Sequence, residues 1–358
     1  MKPLVIAEAG VNHNGQLELA LALADAAKEA GADIVKFQTF KASNLVTQHS
    51  VKAKYQLRST DAGESQLEML RRLELSFEHH VQLLEHCNSI GIEFLSTAFD
   101  SESLQFIVNE LGLKRLKIPS GELTNAPLIL EHARFGCDLI VSTGMASLSE
   151  IEDALGVIAF GYTTKLSSPP SKDAFHAAYC SEAGQVALRE KVTLLHCTTE
   201  YPAPFNEINL RALATLNQAF QLPVGLSDHS AGVAVPTAAV ALGAAIIEKH
   251  FTLDKTMEGP DHNASLEPHE LAQMISGIQE AHSALGGSSK IPSSTEILNR
   301  SVARKSLVAN CAIKVGERFS VSNIAVKRPG LGMSPYGFWR LLDKQASQDY
   351  KAGDLLCE

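Results

Sequence analysis

The chain has 358 residues, 45% of them apolar and 20% charged, which describes a globular protein with ample core and room for about two domains. A net charge of -9 and a pI near 5.8 exclude the basic face that nucleic acid or an anionic membrane would require. Six scattered cysteines without a CxxC pair fit buried thiols in a reducing compartment. Met1-Lys2-Pro3 runs straight into an apolar strand rather than a signal peptide or membrane span, so a cytoplasmic protein is expected.

Short β-rich apolar runs then alternate with longer amphipathic stretches. The runs fall at Leu4 to Ala7, Ile34 to Phe37, Glu93 to Ser96, Leu116 to Ile118, Leu139 to Val141, Val192 to His196, Val224 to Leu226 and Ile246 to Glu248. Between the first two, Leu17, Ala20, Leu21, Ala24 and Ala27 share one helical face that ends at Gly31. Eight strands each followed by a helix, within residues 1–285, predict a (β/α)8 TIM barrel. A doubly wound sheet would need a glycine-rich dinucleotide fingerprint after the first strand, and none is there.

Three stretches interrupt the repeat. Residues 41–76 read as a loop over the active face, with Tyr55 and Gln66 as candidate substrate contacts. Residues 161–191 read as an insertion beside the fifth helix. Residues 286–300 have the Gly/Ser composition of a linker, and residues 301–358 read as a small β-rich domain.

Barrel enzymes place their chemistry at the carboxyl ends of the strands. The polar residues there are Glu8, Lys36, Gln38, Thr97, Lys117, Ser120, Glu122, Ser142, His196, Thr198, Ser227, His229, Glu248 and His250. Period-two alternation puts Ser227 with His229 and Glu248 with His250 on the inner face, and Asp228 and Lys249 on the outer one. Lys36 and Lys117 with neutral donors at Ser120, Ser142 and Ser227 make an inventory suited to a phosphate ester. The same lysines would also neutralise Glu8, Glu122 or Glu248, and both readings can hold in a free enzyme. His229 and His250, ending neighbouring strands, could share one divalent metal with positions left open for water and substrate.

The runs Glu8 to Gly15 (EAGVNHNG), Lys36 to Phe40 (KFQTF), Lys117 to Glu122 (KIPSGE), Ser142 to Met145 (STGM), His196 to Pro202 (HCTTEYP), Gly259 to His262 (GPDH) and Lys327 to Gly330 (KRPG) resemble the bacterial sialic acid synthases in order and spacing along the whole chain. The resemblance implies a barrel with a C-terminal antifreeze-like (SAF) domain, in a homodimer where that domain is swapped onto the second copy's barrel. It implies condensation of phosphoenolpyruvate with an N-acetylated hexosamine, first of all N-acetylmannosamine, to a nine-carbon 2-keto acid and phosphate by C–O cleavage. Carried over by motif, Lys36, Thr97, Lys117, Ser120, Ser142 and Ser227 would hold phosphoenolpyruvate. His229 and His250 would bind manganese or magnesium. Tyr201, Asp261 and Arg328 would bind the sugar, and Glu8 or Glu122, with His250, would serve the chemistry. Thr199 stands where some members of the family carry asparagine.

The acceptors leading to legionaminic or pseudaminic acid differ from N-acetylmannosamine at only a few substituents, so they stay open at this point. A metal-dependent aldolase using free pyruvate is the competing enzyme; the surplus of phosphate-type donors speaks against it. An ice-binding module would need a flat repetitive surface, and residues 301–358 carry no internal repeat.

Overall fold

In the computed structural model, which describes residues 2–53, 56–61 and 63–357, the alternation of apolar runs closes on itself. Strands β1 (Leu4–Gly10), β2 (Ile34–Thr39), β3 (Glu93–Ala98), β4 (Arg115–Ile118), β5 (Asp138–Ser142), β6 (Val192–Cys197), β7 (Val224–Asp228) and β8 (Ile246–His250) form a closed barrel in sequence order, every pair parallel. All eight runs expected from the sequence are strands. Most continue one to three residues further than the apolar pattern, because the last inward positions are polar yet still pair with their neighbours, as Ser227 does with Glu248.

Each strand is buried on both faces, and the two faces do different work. The outward side chains and the inward sides of the helices build the main core. The inward ones form an apolar plug of Ile6, Ile34, Leu95, Ile140, Leu195 and Ile246. Space there is short. A Cβ at Gly225 would stand 2.4 Å from the Ile246 carbonyl oxygen and 2.7 Å from a Leu195 methyl, so β7 crosses the plug with no side chain at all.

Two residues above the plug, the inward ring turns polar: Glu8, Lys36, Thr97, Ser142 and Glu248 each follow a plug residue by two, the strand period, Ser227 follows Gly225 by two, and Lys117 joins them from β4. On β6 that position is Cys197. The sequence predicts His196 and Thr198 for the ring. Leu195 fixes the phase of β6, so His196 faces outward, and its Nε2 pairs with the Ile208 carbonyl at 2.6 Å.

The segment over the carboxyl face is more ordered than a loop. Ser65 and Glu68 form a reciprocal capping box that starts a helix, Gln66–Leu73, whose Met69 and Leu73 pack with Val11 and Phe40. Tyr55 lies outside the described residues. The insertion is two helices, Lys172–Tyr179 and Glu182–Lys191; the first packs on Leu148–Thr163, where Gly156 lets the Phe175 backbone approach and Phe175 meets Phe160 edge-on.

The chain divides into two units, Met1–Gly286 and Gly287–Glu358. The stretch read as a linker is partly helical: Ser293 and Glu296 cap a helix over Ser294–Ala303 with no buried side chain. The second unit carries an antiparallel pair, β9 (Ser306–Ala309) and β10 (Ile324–Lys327), over a small core that includes Leu307, Ile313, Phe319, Ile324 and Tyr350. Among the described residues no helix is long and apolar enough to cross a membrane.

Candidate active site

The polar ring forms the floor of a cavity of about 500 Å³ at the carboxyl ends of the strands. Of the thirteen residues to which the resemblance gives a role, twelve line it: Glu8, Lys36, Thr97, Lys117, Ser120, Glu122, Ser142, Tyr201, Ser227, His229, His250 and Asp261. Arg328 belongs to the second unit, where it is exposed at the end of β10.

Two cations and two carboxylates interlock at the bottom, all between 2% and 4% exposed. Lys36 Nζ stands 2.7 Å from Glu8 Oε2 and 3.6 Å from Glu248 Oε2, and donates to Thr97 Oγ1 at 3.2 Å. Lys117 Nζ reaches Glu248 Oε1 at 2.8 Å, an oxygen that also accepts from Ser227 Oγ at 2.8 Å. Burial works to raise the pKa of Glu248, yet Lys117 and Lys36 hold it well below the usual carboxylate range. Glu8 goes the other way: burial, with Glu248 adding to it, outweighs Lys36 and the Gln38 amide that donates to it, and its pKa rises. The floor thus holds two carboxylates whose pKa values are pushed in opposite directions.

The sequence offers Glu248 as an inward neighbour of His250 and as one of three carboxylates that could neutralise the lysines. It is the hub of the floor, bridging both lysines and Ser227. Glu122 plays no such part; it sits half-buried on the wall, in a short 3-10 turn, with its carboxylate accepting from Asn125 at 2.7 Å. The neutral donors are only partly engaged. Ser120 Oγ accepts from the Gly144 amide at 2.9 Å and also pairs with the Cys197 thiol, whereas Ser142 Oγ is buried with no hydrogen-bond partner. Such an orphaned hydroxyl is costly unless a ligand completes it.

On the other side stand the two imidazoles, ring centroids 5.5 Å apart, with Tyr201 4.1 Å from His229 and edge-on to His250 at 5.6 Å. His229 Nδ1 lies 2.8 Å from the Thr198 carbonyl, so in the neutral ring Nδ1 carries the hydrogen and Nε2 the lone pair. Thr198, expected as a ring residue, acts here through its backbone. His250 Nδ1 is buried without a hydrogen bond, 3.9 Å from Asp261 Oδ2, and burial keeps the ring neutral, its pKa well below the ordinary value. Among the described residues no group of three or more His, Cys, Asp or Glu side chains makes a ready metal cage. The donor set therefore suits an open site: two nitrogens from the protein, the remaining positions left to water and substrate.

Behind this face, Asp228 and Lys249, both almost fully buried, pair at 2.6 Å on the far sides of β7 and β8, and Lys249 also donates to the Ser230 carbonyl. The pair ties together the two strand ends that carry His229 and His250.

A ring of this composition on a barrel has counterparts among known proteins. Residues 23–290 match the model of the NeuB family. Over its full length the chain is 49% identical to the N,N'-diacetyllegionaminic acid synthase of Campylobacter jejuni, covering 99% of that protein. It is 44% identical to the enzyme of the same name from Legionella pneumophila, over 99% of this chain and 94% of that one. A solved N-acetylneuraminic acid synthetase from Leptospira borgpetersenii, in complex with citrate, superposes with a TM-score of 0.68 at 32% identity, over 83% of this chain and 90% of that one. With the two lysines, the partly free serines and the paired histidines at the carboxyl face, these likenesses place the chain in the NeuB family of nonulosonic (sialic-type) acid synthases, enzymes that condense phosphoenolpyruvate with an amino sugar.

Proposed function

We propose that this enzyme joins phosphoenolpyruvate to the open-chain form of a 2,4-diacetamido-trideoxyhexose, giving a diacetylated nine-carbon 2-keto acid of the legionaminic type and inorganic phosphate. The names of the relatives at 49% and 44% identity support this acceptor over the N-acetylmannosamine expected from the sequence. The observation that carries the reading is the floor itself: two buried lysines held by carboxylates, beside a buried serine hydroxyl with no partner.

On this reading an incoming trianion shares Lys36 and Lys117 with Glu8 and Glu248, and takes hydrogen bonds from Thr97, Ser120, Ser142 and Ser227. The methylene carbon of phosphoenolpyruvate attacks the sugar aldehyde; water adds to the oxocarbenium carbon that results, and phosphate departs by cleavage of the carbon–oxygen bond. Glu8 is the better candidate of the two carboxylates for handling that water's protons, because burial raises its pKa above that of an ordinary carboxylate, whereas Glu122 is tied to Asn125 at the wall. A divalent manganese or magnesium ion held by His229 and His250 would supply Lewis-acid polarisation of the aldehyde oxygen. Tyr201 and Asp261 stand at the sugar end.

Arg328 completes the sugar site when a second copy docks its C-terminal unit, read as an SAF domain, over this barrel. The unit exposes Leu331 (69%), Tyr336 (94%) and Trp339 (75%), an apolar surface suited to such docking. Turnover in water labelled with heavy oxygen tests the chemistry: the label is expected in the keto acid, and label in the released phosphate would overturn it. His250→Ala is expected to abolish metal-dependent turnover; a variant with near-full activity in chelator would remove the metal.

A further inference from the structure

The first motif of the chain contains a residue that touches nothing in the cavity yet is tied to both ends of the loop that follows β8. Asn12, 2% exposed, donates through Nδ2 to the Phe251 carbonyl at 2.8 Å and to Ser265 Oγ at 2.9 Å. Phe251 follows His250 directly. Ser265 Oγ in turn donates to the Asp261 carbonyl at 2.7 Å. The orientation of the amide follows from its partners. A carbonyl only accepts, and the one hydrogen of Ser265 is given to Asp261, so both contacts require donors and Nδ2 must face them. Asn12 Oδ1 has no partner, which makes the two donated bonds the whole of its side-chain hydrogen bonding.

The loop is laced to the same segment a second time. Asn14 Nδ2 donates to the Glu258 carbonyl at 3.0 Å, which leaves Asn14 Oδ1 to accept from His262 Nε2 at 3.3 Å. Burial holds the His262 ring neutral, its pKa pushed down to about 4, so its Nδ1 takes the Thr252 hydroxyl at 2.6 Å. Residues more than 230 positions apart in the chain thus form one frame, with Asp261 hung on it and His250 at its edge.

We propose that Asn12 is a positioning residue for the sugar end of the site: by clamping Phe251 and, through Ser265, the Asp261 backbone, it sets the spacing of the Asp261 carboxylate and the His250 ring, 3.9 Å apart. The inference rests on the reading of Asp261 as a sugar contact. It is distinct from a general folding role, since the clamp acts on one loop on the sugar side and none of its bonds reaches the lysine floor.

The test is a double-mutant cycle on the full-length enzyme, with KM measured separately for the diacetamido sugar and for phosphoenolpyruvate. Asn12→Ala is expected to raise the sugar KM about tenfold, the worth of one or two lost hydrogen bonds, and to leave the phosphoenolpyruvate KM within about twofold. Asp261→Ala is expected to raise the sugar KM as well. In the Asp261→Ala background the Asn12 substitution is expected to add less than about twofold, because the group it positions is gone. Ser265→Ala, which cuts only the branch to Asp261, follows the same pattern with a smaller rise and forms the same cycle if Asn12→Ala does not fold. Effects that multiply in full, or that fall equally on both substrates, would overturn the proposal. An Asp261→Ala enzyme with an unchanged sugar KM would instead overturn the sugar reading, and the proposal with it.

Discussion

Replacing Lys249 by methionine removes one ammonium from behind the two histidines and leaves the rest of the frame in place. Lys249 and Asp228 are 1% and 3% exposed, so neither charge has water to fall back on. The Asp228 carboxylate would keep two hydrogen bonds, from Ser230 N and Ser230 Oγ, each at 3.0 Å, but lose its counter-charge at 2.6 Å. Breaking a buried pair from one side costs about 3–5 kcal/mol, and the two surviving bonds place this case near the lower figure, about 3 kcal/mol. The double variant Asp228→Asn with Lys249→Met, which buries no charge, is expected to recover at least half of that loss. Urea unfolding followed by far-ultraviolet circular dichroism is the assay; the chain's one tryptophan, Trp339, lies in the second unit, so its fluorescence would follow the wrong body. A single variant within about 1 kcal/mol of the parent, or a double variant no better than the single, would refute the reasoning.

Three further outcomes follow from the same geometry. Ser142→Ala removes a buried hydroxyl that has no partner in the free protein, so the free protein is expected to gain about 1 kcal/mol in urea unfolding while the phosphoenolpyruvate KM rises about tenfold in steady-state assays. Gly225→Ala forces a methyl into the Ile246 carbonyl and Leu195, and urea unfolding is expected to show a loss of about 1–3 kcal/mol. His132, 1% exposed on an outer helix, has its pKa pushed down to about 4 by burial, so the unfolded chain takes up a proton near pH 6.5 that the native chain refuses until about pH 4. The stability it supports is complete above pH 6.5 and lost as pH falls; His132→Leu is expected to lose about 2 kcal/mol less than the parent between pH 7 and pH 5 in urea titrations.

The barrel is legible because both its signals are local: each strand is a short apolar run, and each helix carries its own apolar face. Strand ends were harder to place, since the last inward residues are Glu8, Ser142, Ser227 and His250, which hydropathy alone reads as loop. The inward ring followed from counting in twos wherever the apolar run fixed the phase. It fails on β6, where Leu194 and Leu195 are equally apolar and only the plug shows which one faces inward; the inward polar position there is Cys197 and not His196. Glu248 is legible as inward and as one of three possible partners for the lysines, but that it bridges both of them depends on side chains from β2 and β4, which no spacing in the sequence reveals. The helix at Gln66–Leu73 had a readable signal in Ser65 and Glu68, masked by the polar run before it. The ties from Asn12 to Phe251 and Ser265 are long-range contacts between polar residues, of a kind composition and periodicity cannot register.

The most direct test of the account is one assay: purified enzyme with phosphoenolpyruvate, manganese and, in parallel, 2,4-diacetamido-2,4,6-trideoxymannose or N-acetylmannosamine, reading phosphate release and product mass. The account predicts phosphate release matched mole for mole by a diacetylated nine-carbon keto acid, with kcat/KM higher for the diacetamido sugar. A higher kcat/KM for N-acetylmannosamine would contradict the assigned acceptor, and product formed from pyruvate without phosphate release would contradict the chemistry.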